Sequence, residues 1–155
     1  MKNLLAKSAL ILVMAGVISC KCTKSAAQTT EVLTSTTWEL AKVNGVAVQA
    51  SNYGKGIPTA TFTKGDNRVS GSGGCNSYNG TYTLSEDGSI KIGPVIATKM
   101  ACLNGGDGES EYFRALNQVT KTKVDKDKVI LLNGDKEVLE FKPAVLETLN
   151  YTPKE

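Results

Sequence analysis

The chain has 155 residues, a formal charge of +3 and no histidine. The missing histidine excludes a Ser-His-Asp triad, a Cys-His dyad and a histidine-held zinc, leaving any hydrolysis to carboxylates or a lysine. Lys2 and Lys7 supply two of the three net charges, so the chain beyond them stands at +1, with no basic stripe for nucleic acid.

The first segment, MKNLLAKSALILVMAGVISC, places Lys2 and Lys7 before the uncharged run Ala9–Ile18. That is the build of a secretory signal, and the run is too short for a bilayer span, which needs about 18 residues or more. Its end, Val17-Ile18-Ser19-Cys20, resembles the lipobox of bacterial lipoproteins. The expectation is a signal peptide over 1–19 and acylation of Cys20. More than one acyl chain anchors stably, at about 0.8 kcal/mol per buried methylene. The chain is then exported and tethered to the bacterial envelope, with the outer membrane as the expected site and the membrane as its first partner.

Residues 21–34, KCTKSAAQTTEVLT, are small and polar, and with Cys20 they read as a flexible tether over 20–34. Beyond them lies length enough for one domain. Short strand patterns follow. Thr37-Trp38-Glu39-Leu40 alternates, as does Thr61-Phe62-Thr63, and Arg68-Val69-Ser70 comes after the turn Lys64-Gly65-Asp66-Asn67. Asp87-Gly88 divides Gly80–Leu84 from Ser89–Ile92, and Asn133-Gly134-Asp135-Lys136 divides Val129–Leu132 from Val138–Phe141; both read as hairpins. The sign-alternating KTKVDKDK at 121–128 reads as a solvated turn.

One segment has a different period. Over Gly108–Val119, Tyr112, Phe113, Leu116 and Val119 recur at helical spacing, Asp107 or Gly108 can cap the start, and Glu109 and Glu111 suit the positive first turn. The predicted fold class is β-rich α+β: a small antiparallel β-barrel or strongly curved sheet with one helix packed on it. The tail, 143–155, could form a last helical turn or an edge strand.

Three pieces line up: TWEL at 37–40, VSGSGGCNSYNGTYTL at 69–84 and IATKMAC at 96–102, ahead of a helix that carries Glu109 and Glu111. Together they resemble the META domain family, which includes the bacterial heat-shock lipoprotein HslJ. The match spans about residues 33–142, and the domain is placed at 35–142. The resemblance implies a small β-rich fold with a helix across it, in envelope or secreted proteins. It also implies links to stress response, and in some members to novobiocin resistance or motility, with no defined catalytic activity and no cofactor.

Cys75 and Cys102, in an exported domain, read as a disulfide worth about 3.5 kcal/mol of chain entropy. The rival reading is a reactive thiol, for which Lys99 is the only nearby cation in sequence and no imidazole base exists. Cys20 and Cys22 offer too few sulfurs for structural zinc, so no metal is expected. The glycines 71, 73, 74 and 80 lack the Gly-Lys-Ser/Thr ending of a phosphate loop. Gly74 and its neighbours instead permit a positive-φ turn or a close backbone approach. Asn76 reads as a satisfier of loose backbone groups, though its amide could face a ligand. Trp38 reads as a core anchor whose N–H needs a partner.

No pair of carboxylates is placed for glycosidase work. The expected function is a non-enzymatic, monomeric envelope lipoprotein with a structural or protective role and an unidentified envelope partner. The alternative is a barrel that holds a small apolar ligand or inhibits an envelope enzyme. An apolar interior cavity of about 300 Å³ or more would favour the ligand-holding form.

Overall fold

The computed structural model describes residues 25–102 and 107–145. The expected signal peptide, Cys20, Cys22 and the first part of the tether lie outside the described residues, as does the tail beyond Val145.

Two helices and ten strands follow in order. Helix α1 spans Ala26–Leu33; strands β1 (Thr37–Val43), β2 (Val46–Ala47), β3 (Thr59–Thr63), β4 (Arg68–Ser72), β5 (Ser77–Leu84), β6 (Ile90–Ile92) and β7 (Ile96–Ala97) come next. Helix α2 (Gly108–Leu116) precedes β8 (Lys121–Asp125), β9 (Lys128–Asn133) and β10 (Lys136–Pro143). All pairings are antiparallel, in the order β6-β5-β4-β3-β1-β10-β9-β8, with β2 on β1 and β7 on β5.

The two ends of this sheet meet, which makes it a nearly closed barrel. Ser89 bridges Lys121; the Ile90 N–H donates to the Thr120 carbonyl, and the Thr122 N–H to the Gly88 carbonyl, both at 3.0 Å. Register shifts between Leu40 and Lys42 and between Glu137 and Leu139 mark bulges. Such bulges add the local twist that lets a sheet curl shut. The fold class is therefore the β-rich α+β barrel expected from the strand spacing, with two helices in place of one.

Alternation explains the core. Trp38, Leu40, Ala60, Phe62, Val69, Tyr78, Tyr82, Ile90, Val129, Leu131, Leu139 and Phe141 all point inward and are buried. Most of their strand neighbours face out, as a pleat of period two requires, while Leu132 and Val138 are buried as well, Val138 within the bulge between Glu137 and Leu139. Helix α2 packs against β1 and β10 and buries Tyr112, Ala115 and Leu116.

The second helix in the fold corrects the tether. Ala26–Leu33 is helical and packs on β8. Ser25 Oγ accepts from the Gln28 N–H while Gln28 Oε1 accepts from the Ser25 N–H, a reciprocal capping box. Thr29 and Leu33, one turn apart, are both buried, so a composition that looked soluble carries an inward stripe. The Trp38 Nε1–H donates to the Leu33 carbonyl at 2.9 Å, which gives the buried indole its partner.

Two further differences concern strands. KTKVDKDK is strand β8 with a tight turn at its end, and its alternation of sign is the two-faced pleat of a sheet edge: Thr122 is buried between exposed lysines. Asn44-Gly45, with φ of 49° and 83°, turns β1 into β2, a hairpin signal of the strongest kind. At the other end of the chain β10 runs through Pro143, which pairs with Trp38.

Candidate functional site

The Gly-Cys-Asn segment sits in the connection from β4 to β5. Gly74 has a φ of +106°, a region that glycine alone enters freely, and a Cβ there would strike the Tyr53 ring. A Cβ on Gly73 would lie 2.7 Å from Glu109 Oε1 and 2.6 Å from the Phe113 ring. The glycines therefore serve close approach, bringing the turn onto the start of α2.

Glu109 ties that approach. Its Oε1 accepts from the N–H groups of Cys75 and Asn76, at 3.1 and 2.6 Å. Its Oε2 accepts from Asn76 Nδ2 at 2.7 Å. The other side of Asn76 completes the tie: Oδ1 accepts from Thr98 Oγ1 at 2.8 Å and from the Met100 N–H at 2.7 Å. Its own carbonyl accepts from the Gly73 N–H at 2.8 Å. One side chain thus draws α2, the Gly73–Asn76 turn and the segment after β7 into a single knot.

Cys75 and Cys102 are disulfide-bonded, with Cα atoms 6.2 Å apart. Cys75 is buried and Cys102 is half-buried. Neither sulfur is a free thiolate, so a nucleophile at this place would first require reduction. Lys99, the cation adjacent in sequence, is exposed.

Behind the knot lies a buried polar pair. Tyr78 OH donates to the Thr59 carbonyl at 3.0 Å, and the two hydroxyls of Tyr78 and Tyr112 are 2.7 Å apart. With the Tyr78 proton committed, Tyr112 donates to Tyr78. Burial pushes both phenols well above their ordinary 10.0. Among the described residues no buried side-chain nitrogen or oxygen lacks a partner. No group of three or more Cys, Asp or Glu there is placed to hold a metal.

Of the residues singled out in the sequence, Gly74, Cys75, Asn76 and Cys102 come together here, while Trp38 stands in the core against α1. Cys20 lies outside the described residues. The role of Glu109 was missed, since it was read only as a charge suited to a helix start. The signal was present: Glu109, Tyr112, Phe113 and Leu116 share one helical stripe. An acid on the inward stripe needs donors. Asp107, by contrast, makes no side-chain capping bond.

The barrel interior is filled by Trp38, Tyr78, Tyr112, Phe62 and Phe141, each nearly or fully buried. Grooves open on the described surface, one of about 440 Å³ along β8 and one of about 330 Å³ beside β6. These side chains occupy the place that a ligand inside the barrel would take.

A family profile for the META domain matches residues 31–145. The chain belongs to the META domain family. This META domain is also similar to solved structures. An NMR structure of a protein from Burkholderia xenovorans shares 26% identity at a TM-score of 0.60, with 94% of this chain and 99% of that one covered. A second NMR structure shares 26% identity at a TM-score of 0.57, with 76% and 97% covered. A crystal structure of a DUF4847 family protein from Bacteroides vulgatus has the same fold at 18% identity, a TM-score of 0.53 and coverage of 74% and 96%. No curated protein matches the chain.

Proposed function

We propose that this META domain is the non-catalytic body of an exported lipoprotein, anchored through Cys20 and held to the envelope surface, where it supports or protects envelope components under stress. The observation that carries the reading is the commitment of the carboxylate, the amide and both sulfurs at the knot. The Glu109 carboxylate takes three donors, the Asn76 amide is used on both sides, and both sulfurs are in a disulfide. A site that did chemistry would keep a nucleophile, base or oxyanion donor available for substrate. The disulfide also fits an oxidising compartment.

Helix α1 changes how such an anchor works. The cap of α1 at Ser25 stands five positions after Cys20, so an anchor at Cys20 holds the barrel close to the bilayer. The test is labelled fatty-acid uptake by the wild-type chain and by Cys20→Ala. Label in the wild type alone is the expected result, and label retained by the variant overturns the anchor. A deletion strain should then lose growth or permeability control under heat, detergent or antibiotic; an unchanged strain removes the protective role.

A further inference from the structure

The barrel is shut by a short seam and gapes beside it. Strand β6 is the end of the sheet, and no strand among the described residues pairs with its outer edge beyond the Ser89–Lys121 bridge. Lys91 pairs with Thr83 of β5, and the Gly93 N–H donates to the Thr81 carbonyl at 2.7 Å. In an antiparallel ladder the intervening Ile92 then directs its N–H and C=O away from β5. That direction is the groove of about 330 Å³, whose far wall is the Asn117–Thr120 segment.

The chain's own far wall is ill placed to close the gap. The Gln118 N–H donates to Ala115, the Val119 N–H to Leu116 and the Thr120 N–H to Leu132. All three donors are therefore spent on the end of α2 or on β9, and zipping the seam further would break them. Thr120 offers only its carbonyl, which the Ile90 N–H already takes. Peptide donors and acceptors at an unpaired edge are a template for an added strand.

From this we infer that the groove between β6 and Asn117–Thr120 takes an extended peptide segment of another polypeptide, which adds a strand to β6 by hydrogen bonds to Ile92. The lining selects its chemistry. Lys91 is the one charged lining residue; hydroxyls and amides such as those of Thr83, Ser85 and Gln118 make up the open face, while the side chains of Ile90, Ile92 and Val119 belong to the core. An acidic side chain on the incoming segment meets Lys91 on that face, and β-branched residues between the acidic ones favour the extended strand. Because Lys91 points outward and is exposed, it gives charge preference without supporting the core. The groove owes nothing to the anchor or to export, so it stands or falls separately from the proposed function.

The experiment uses the full chain labelled with ¹⁵N and two heptapeptide pools, one alternating Val, Ile or Thr with Glu and one alternating them with Lys. The acidic pool should shift the Ile92 amide signal and slow its hydrogen exchange at least tenfold, leaving the Lys91 amide, already paired with β5, unchanged. Lys91→Glu should weaken the acidic pool at least fivefold and turn the preference to the basic one. Gln118→Trp, which fills the groove from the wall that carries no core side chain at that position, should abolish the response. Two results overturn the inference: no Ile92 response to either pool at millimolar peptide, or an Ile92 amide already protected in the free chain and exposed when residues 146–155 are removed, which would make the tail the occupant.

Discussion

Glu109 is the residue on which the candidate site turns, because its two oxygens serve three part-buried donors. Hydrogen bonds to a charged acceptor, with the loss of satisfaction for part-buried donors, predict about 3 kcal/mol of destabilisation for Glu109→Ala and about half that for Glu109→Gln. Urea denaturation at neutral pH measures both, and a change under 0.5 kcal/mol would remove Glu109 as the tie. The tyrosine pair behind it gives a pH dependence. The folded chain holds the phenolic protons of Tyr78 and Tyr112 more tightly than the unfolded chain, whose tyrosines ionise near 10.0. Their contribution is therefore complete below pH 10 and is lost as pH rises above it. Urea midpoints between pH 8 and 11.5 should fall in the alkaline range, and Tyr78→Phe should flatten that fall. The knot was legible in the sequence as Gly, Cys and Asn, since each type has a narrow set of structural uses. Its carboxylate partner, 33 positions after Asn76, was not, because the contact depends on where α2 lands.

At the scale of elements, the hairpins were the most readable features. Asp87-Gly88 and Asn133-Gly134 specify turns by backbone conformation alone, with φ of 83° at Gly88 and 61° at Gly134. Helix α1 was hidden for the opposite reason. Its residues are small and polar, and only Leu33 and Thr29 reveal an inward face once β8 is present to receive it. Helices this short rarely hold without tertiary contact. Leu33→Ala should accordingly cost about 2–5 kcal/mol in chemical denaturation, as deletion of a buried side chain does. A segment acting only as a tether would show no change. Strand β8 was misread because charge runs in solvated turns and charge on the outer face of an edge strand look alike until Thr122 and Val124 are counted at period two.

For the molecule as a whole, strand spacing foretold a curled antiparallel sheet, whereas the order of its strands depended on contacts far apart in sequence. The disulfide fastens this sheet at one place, across a sequence separation of 27 residues. Reducing it should lower stability by about 3.5 kcal/mol on the chain-entropy estimate, read as a shift of the urea midpoint with dithiothreitol. A thiol count on the unreduced folded domain should find neither Cys75 nor Cys102 reactive. The placement of β1 against β10 has a consequence for how the protein is made. Trp38, near the front of the domain, pairs with Pro143 at the end of β10, so β1, in the middle of the sheet order, waits for the last described strand to arrive. The β3–β4–β5 meander and both cysteines lie between them in sequence. A chain made from its front end thus presents both cysteines while its first strand is still half-paired, and the barrel shuts only once β10 is in place.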